Sequence, residues 1–150
     1  MDFSKVLDTK VADVEKPPLA PLGDYVFQIT AAPRVSERGI YDIVEFPCVA
    51  VEALETVDPE ELAEFGDLKN IRTRVSFLFN KEDDAGAATT QYHMTNFLEQ
   101  HLGCSEDGMT VKQAMGNAIN HRFVGATGYR PNKNDVSELF FEIKKTAPVE

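Results

Sequence analysis

The sequence predicts a mostly β, α+β domain, and three observations carry that prediction. Five segments alternate apolar and polar residues with the period of a half-buried strand. One segment with apolar residues at helical spacing falls between the third and fourth of them. Stretches rich in Gly, Pro, Asn and Asp separate the segments where the chain must turn.

Along the chain, residues 1–16 set Phe3, Val6, Leu7, Val11 and Val14 close to helical spacing and then meet Pro17, Pro18 and Pro21, which favour an extended linker. Residues 1–20 therefore read as an arm and Pro-rich linker, and residues 21–147 as the domain. Tyr25, Phe27 and Ile29 alternate with Val26, Gln28 and Thr30, a first strand over 24–32. Ser36-Glu37-Arg38-Gly39 is a turn signal, and a second strand runs from Ile40 to Val51. Pro47 removes a ladder donor there, which predicts an edge position or a bulge around Phe46–Cys48.

Asp58-Pro59-Glu60-Glu61 carries an N-cap, a proline at the first helical position and acids where the helix dipole favours them. With Gly66 as its stop, this is a short, solvated helical insertion held on the surface. Leu68–Asn80 returns to alternation, with Ile71, Thr73, Val75, Phe77 and Phe79 on one side and Arg72, Arg74, Ser76 and Leu78 on the other. Thr89 or Thr90 caps a helix through His101 whose stripe is Tyr92, Phe97, Leu98 and Leu102, with Gly103 at its end. A second short helix starts at Thr110 and closes at Gly116. The last hairpin comprises 119–129, a turn over Arg130–Asp135, and Val136–Lys145. Phe27, Phe77, Phe79, Phe97, Phe123 and Phe141 are assigned to the core.

The composition excludes several classes. The 150 residues suffice for one core. No apolar run approaches the ~18 residues of a membrane span. The start, Met1-Asp2-Phe3-Ser4-Lys5, carries no secretory pattern. Cys48 and Cys104 make neither a disulfide framework nor a CxxC pair, so a reducing, cytoplasmic setting is expected. GxSxG, HExxH, P-loop and GxGxxG motifs are absent from the sequence, and the histidines His93 and His101 stand about two turns apart on one helix. A non-enzymatic protein with no catalytic residue, no metal and no cofactor is expected.

The order strand, strand, strand, helix, strand, strand, with the acidic helical insertion between the second and third strands, fits a five-stranded OB-like Greek-key barrel. A β-rich α+β sandwich shares that order. Three segments then carry a likeness: Pro21-Leu22-Gly23-Asp24-Tyr25-Val26-Phe27-Gln28-Ile29, the helix Thr90–Gly103 ending in Phe97-Leu98-Glu99-Gln100-His101-Leu102-Gly103, and the closing hairpin 120–145. Over about residues 20–145 the chain resembles the small OB-fold proteins encoded among bacteriophage replication and recombination genes. The resemblance implies binding of single-stranded DNA in the host cytoplasm, with replication or recombination proteins as further partners. Its C-terminus, Lys144-Lys145-Thr146-Ala147-Pro148-Val149-Glu150, departs from the acidic, Phe-terminated tail many such proteins carry.

The net charge of −10 opposes nucleic-acid binding unless the charge is unevenly spread. It is. Between Glu52 and Asp67 stand seven carboxylates and no Lys or Arg, leaving a net −3 for all the rest. A strand that binds single-stranded nucleic acid needs cations for phosphates and aromatic faces for bases. The outward side of the third strand offers Arg72 and Arg74. The loop between the first two strands offers Arg34 and Arg38, and Arg122, Arg130 and Lys133 extend the set. Tyr41 and Tyr129 are the stacking candidates, with Tyr25 third. In a rival reading the acidic segment is the functional surface, presenting Glu55, Glu60, Glu61 and Glu64 to a basic partner, as a virion component or DNA mimic would. A third reading is a homo-oligomer assembled through the 1–16 arm or a strand edge.

Overall fold

Six antiparallel strands form one open sheet in the computed structural model, which describes residues 2–13, 18–135 and 137–150. The strands are β1 (Asp24–Ile29), β2 (Arg34–Arg38), β3 (Tyr41–Ala53), β4 (Arg72–Asn80), β5 (Arg122–Pro131) and β6 (Leu139–Ala147). The hydrogen-bonded path runs β4-β3-β1-β5-β6, and β2 also pairs with β3. Among the described residues no ladder joins β4 to β6, so the expected five-stranded OB-like Greek-key barrel is corrected to six strands in an open sheet. The helices are α1 (Phe3–Asp8), α2 (Pro59–Phe65), α3 (Asp84–Asn96) and α4 (Val111–Gly116). The predicted roles of Val14, Pro17 and Val136 lie outside the described residues.

The sixth strand comes from the loop that was expected to carry Arg34 and Arg38. These residues pair with Glu45 and Tyr41, and the turn falls one step later, at Gly39 and Ile40, where Gly39 takes φ 61°. β3 has 13 residues, long enough to serve two partners in succession along one edge: β2 over Tyr41–Glu45 and β1 over Cys48–Ala53. Pro47 sits at the handover. Its carbonyl accepts from the Thr30 amide at 3.0 Å, so its nitrogen faces the same edge, where neither partner is in register to need a donor. Pairing with β4 is continuous through Pro47 and Arg74, so no bulge forms there. The bulge in β3 instead falls at Val51, opposite the Val26–Phe27 step of β1.

The main helix begins earlier than its threonines suggest. Asp83 caps it by accepting from the Gly86 amide at 3.0 Å, while the Thr89 hydroxyl lies inside the helix and donates back to the Ala85 carbonyl. A mid-helix threonine with that local bond is no cap. After Asn96 the helix widens into a π-helical turn, Phe97–His101, and ends at Gly103 with φ 66°. That turn buries the consecutive residues Phe97 and Leu98. α4 opens as expected at Thr110, whose hydroxyl accepts from the Gln113 amide while the Gln113 side chain accepts from the Thr110 amide.

Phe97 is the point where helix and sheet meet. Its ring lies 5.4 Å from Phe46 of β3, 5.7 Å from Phe77 of β4 and 5.2 Å from Phe123 of β5, measured between centroids. Phe123 stacks on Phe27 at 5.7 Å, and Phe27 meets Tyr25 at the same distance. Phe27, Phe97 and Phe123 are fully buried, and Phe77, Phe79 and Phe141 pack against the same core, as the alternation predicts. Gly125 is forced by this packing, because a Cβ there would come within 2.8 Å of the Phe27 ring.

The acidic insertion is less solvated than its charge suggests. Val57 is 4% exposed, and Leu62 and Phe65 pack against the core beside it. The Thr56 hydroxyl accepts from the Asp24 amide at 2.7 Å, and Leu54 donates to the Asp24 carbonyl. Asp58 caps α2 as predicted, accepting from the Glu60 amide at 2.8 Å. The segment is thus one acidic face on an anchored element. By contrast, α1 in the arm buries no side chain.

Replacing Phe97 with Ala removes the ring that touches three strands and leaves a cavity the helix and sheet cannot both close. Urea denaturation is expected to show a loss of roughly 3–5 kcal/mol; a loss under 1 kcal/mol would mean that the aromatic cluster does not hold the helix to the sheet.

Candidate nucleic-acid interface

Residues directly opposite in an antiparallel ladder point to the same side of the sheet. On that rule the registers Arg34 with Glu45, Arg38 with Tyr41, Glu45 with Ser76 and Pro47 with Arg74 place Arg34, Arg38, Tyr41, Arg72 and Arg74 on one outward face. β5 and β6 bring Arg130, Phe140, Glu142 and Lys144 to the outer side across the gap from β4, where these residues and Arg72, Arg74, Ser76 and Leu78 line one cleft of about 820 Å³. A second, smaller depression holds Arg34, Glu45, Arg72 and Arg74 and shares Arg72 and Arg74 with the first. Five cations therefore line the two depressions, against the two carboxylates Glu45 and Glu142.

The carboxylates do not neutralise this strip. Arg74 stands 3.6 Å from Glu45 with both side chains partly in water, a pairing worth little. Arg72 donates to the Lys69 carbonyl at 3.3 Å, and among the described residues Arg34, Arg38 and Arg72 form no ion pair. Glu142 is more tightly held, 3.0 Å from Arg130 and 2.5 Å from Lys144. Partial burial pushes its carboxyl up, but the hydrogen bonds and charges of Lys144 and Arg130 outweigh that and hold it below the usual carboxylate range. None of the seven carboxylates of the acidic window lines either depression.

No family model matches this chain, and neither does any curated protein or any solved structure.

Several candidates fall elsewhere. Tyr129 is not an open stacking face: its hydroxyl donates to the Ala20 carbonyl at 2.6 Å, its ring packs 6.4 Å from Phe141, and it borders a groove with Glu61, Glu64, Phe65 and Pro21. Tyr25 is fully buried, donating to the Pro21 carbonyl at 2.5 Å. Arg122 pairs with Gln28, donates to its side chain at 2.9 Å, and lines neither depression. Lys133 sits exposed in the β5–β6 turn. Tyr41 remains on the outward face at 36% exposure. Glu55, Glu60, Glu61 and Glu64 are exposed on and beside α2.

Two site residues were missed by the sequence reading. Phe140 is 39% exposed in the cleft, with the Arg130 guanidinium 5.2 Å over its ring, a cation–π contact. Lys144 borders the same cleft. The signal for Phe140 was its phase: next to inward Phe141, an aromatic occupied a position where a strand's wet side calls for a polar residue.

Other chemistry is sparse. Both cysteines are buried and burial pushes their thiols up, Cys48 to about 12, away from nucleophilic use at neutral pH. Among the described residues no three His, Cys, Asp or Glu side chains are grouped to hold a metal ion, and no helix is long and apolar enough to cross a membrane.

The two pinned tyrosines set a pH limit. Burial first, then the neighbouring Tyr129 and Glu61, push the Tyr25 hydroxyl up to about 12 from its ordinary 10.0. The neutral form is thus favoured in the folded state, so stability is full below pH 10 and falls as the pH rises toward 12. Unfolding free energies from urea titrations between pH 9 and 12 should drop by up to about 3 kcal/mol for the native chain. Tyr25→Phe should start about 1 kcal/mol lower at pH 8 and decline less steeply; equal slopes would remove Tyr25 as the cause.

Proposed function

We propose that this chain is a non-enzymatic, OB-like protein that binds single-stranded DNA along the outward face of β3 and β4 and the cleft toward β6. The single observation that carries the reading is that Arg34, Arg38, Arg72 and Arg74 share one face, in a chain whose net charge is strongly negative. The wet side of a sheet accommodates acids and bases alike, yet over the stretch where β2, β3 and β4 pair this face carries four arginines against the single carboxylate Glu45. Phosphates would lie against Arg34, Arg72, Arg74 and Arg130, and bases against Tyr41 and Phe140. The strand path β4-β3-β1-β5-β6, with α3 entering between β4 and β5, supports the OB-like reading. So does the placement of the strip, between the β1–β3 connection and the β5–β6 turn, the region an OB barrel uses to grip oligomers. The resemblance to phage replication and recombination proteins extends the proposal to a role in coating DNA during those processes.

Anisotropy titration with a fluorescent oligo-dT tests this. With three to five phosphate contacts, log affinity against log salt should fall with a slope of about −2 to −3.5. Arg72→Ala with Arg74→Ala should weaken binding and flatten the slope by about 1.4. No binding at tens of micromolar in low salt would sink the proposal, and an unchanged slope would remove the two arginines from the site.

A second reading rests on a separate observation. Glu61 and Glu64 flank a groove whose floor is Pro18, Leu19, Pro21, Phe65 and Tyr129. Such a groove suits a basic partner with apolar side chains, as an interaction protein or DNA mimic would require. Because Val57 and Phe65 belong to the core, deleting the segment would unfold the domain, so neutralisation is the sound test. Glu60→Gln, Glu61→Gln and Glu64→Gln together should leave thermal stability within a few degrees and oligo-dT binding equal or tighter. Loss of oligo-dT binding in this variant would contradict the assignment of the acidic face to a site separate from DNA.

A further inference from the structure

The gap between β4 and β6 does not end at the arginine strip. Lys144, Ile143 and Ser76 border both the cleft described above and a further pocket of about 320 Å³, closed on its other side by α3 and the π-helical turn. Four side chains able to carry positive charge line this pocket: His93 from α3, His101 from the π-helical turn, and Lys144 and Lys145 from β6. Ser76, Asn96 and Thr146 add neutral hydrogen-bonding groups, and no carboxylate lines it. β4 contributes Val75, Ser76 and Phe77, none of them ionisable. Glu142, the acid next to Lys144 on β6, is already held by Lys144 and Arg130, while Glu99 on the π-helical turn is exposed outside the lining.

We propose that this pocket is a second phosphate-binding subsite, one that takes a phosphoryl oxyanion between His101 and Lys145, with Lys144, whose ammonium is shared with Glu142, at its rim, and gains strength as His101 protonates. The inference rests on the nucleic-acid reading for its natural ligand, a backbone or terminal phosphate of a strand continuing past Lys144, but the same chemistry would accept a free inorganic polyphosphate. His101 is positioned for the task. Its Nδ1 is 2.6 Å from the Thr146 hydroxyl, and Phe97 meets the ring edge-on at 6.2 Å, so the imidazole is fixed in place between the helix and β6. Burial holds its protonation below the ordinary range, so the empty pocket has a neutral imidazole at pH 7. An anion reverses that preference by pairing with the charged form. Binding must then take up a proton, and affinity must rise as the pH falls. The gain is about tenfold for each pK unit by which the anion raises the imidazole.

Imidazole-detected NMR titration from pH 5 to 8, without and with inorganic tripolyphosphate, reads the pocket directly. Tripolyphosphate should raise the His101 midpoint, move His93 less and leave His121 unmoved, and Lys145→Gln, an exposed change, should shrink the His101 shift. Oligo-dT anisotropy at pH 8 and pH 5.5 then reads the natural ligand, with native chain showing a larger gain on acidification than His101→Gln, whose amide can still reach Thr146. A His101 midpoint indifferent to both ligands overturns the inference. Oligo-dT binding that depends on Arg72 and Arg74 but gains equally in native chain and His101→Gln overturns it too, while leaving the arginine cleft standing. A tripolyphosphate shift with no oligo-dT binding upholds the phosphate pocket and overturns the nucleic-acid reading.

Discussion

The architecture depends on one aromatic contact, the seating of Phe97 against Phe46, Phe77 and Phe123. A sheet curled this far has an interior that must be filled at close-packed density, and its edge strands β4 and β6 are not joined by hydrogen bonds. The Phe97 ring, delivered by the π-helical turn at the end of α3, fills that interior and touches the strands on both sides of β1. The extra residue in the turn lets Phe97 and Leu98 both face inward while His101 reaches Thr146 on β6. Helix and β6 are thereby tied at one end of the gap, and the gap stays open along the rest of its length. The open edge is the ground of both the arginine cleft and the histidine pocket.

Charge follows the same division. The seven carboxylates of the acidic window travel on an element anchored by Val57, Leu62 and Phe65, beside the Pro-rich linker that the Tyr25 and Tyr129 hydroxyls pin down. The charged residues that line the β4–β6 gap are mainly cationic, Glu142 being the exception. At physiological salt, exposed charges separated by more than about 8 Å are largely screened. A chain with a net charge of −10 can therefore present a locally basic strip, provided the acids are folded onto another surface. The net charge of a sequence says little about the potential in any one cleft.

Legibility in the sequence was uneven, and the unevenness has causes. Strands with strict alternation, such as Arg72–Asn80, were read with the correct sides because a period of two leaves no ambiguity about which residues share a face. The cap at Asp58 was read correctly, and the helix expected from Thr110 begins beside it, because in both cases the cap bond is made within three residues. Thr89 failed as a cap because Asp83 offered a side-chain acceptor one and a half turns earlier, and its helix-compatible Ala-rich run leaves the start unmarked. Tyr129 failed as a stacking face because a hydroxyl partner 109 residues away in sequence claims it. Phe140 was overlooked because stacking candidates were sought among tyrosines, although its place beside inward Phe141 puts it on the strand's outer side.

What the amino-acid order determined by itself is five of the six strands, the sides their apolar residues take and the grouping of Arg72 with Arg74, since each follows from dihedral preference and side-chain periodicity over a few residues. What only the tertiary structure decided is which sides meet. The pairing of β2 with β3 brings Arg34 and Arg38 onto the arginine face, the approach of β4 to β6 creates the cleft, and the π-helical turn sets His101 beside Lys145. These juxtapositions join residues tens of positions apart, and their physical cause is the burial of one shared aromatic core, a quantity that no local pattern contains.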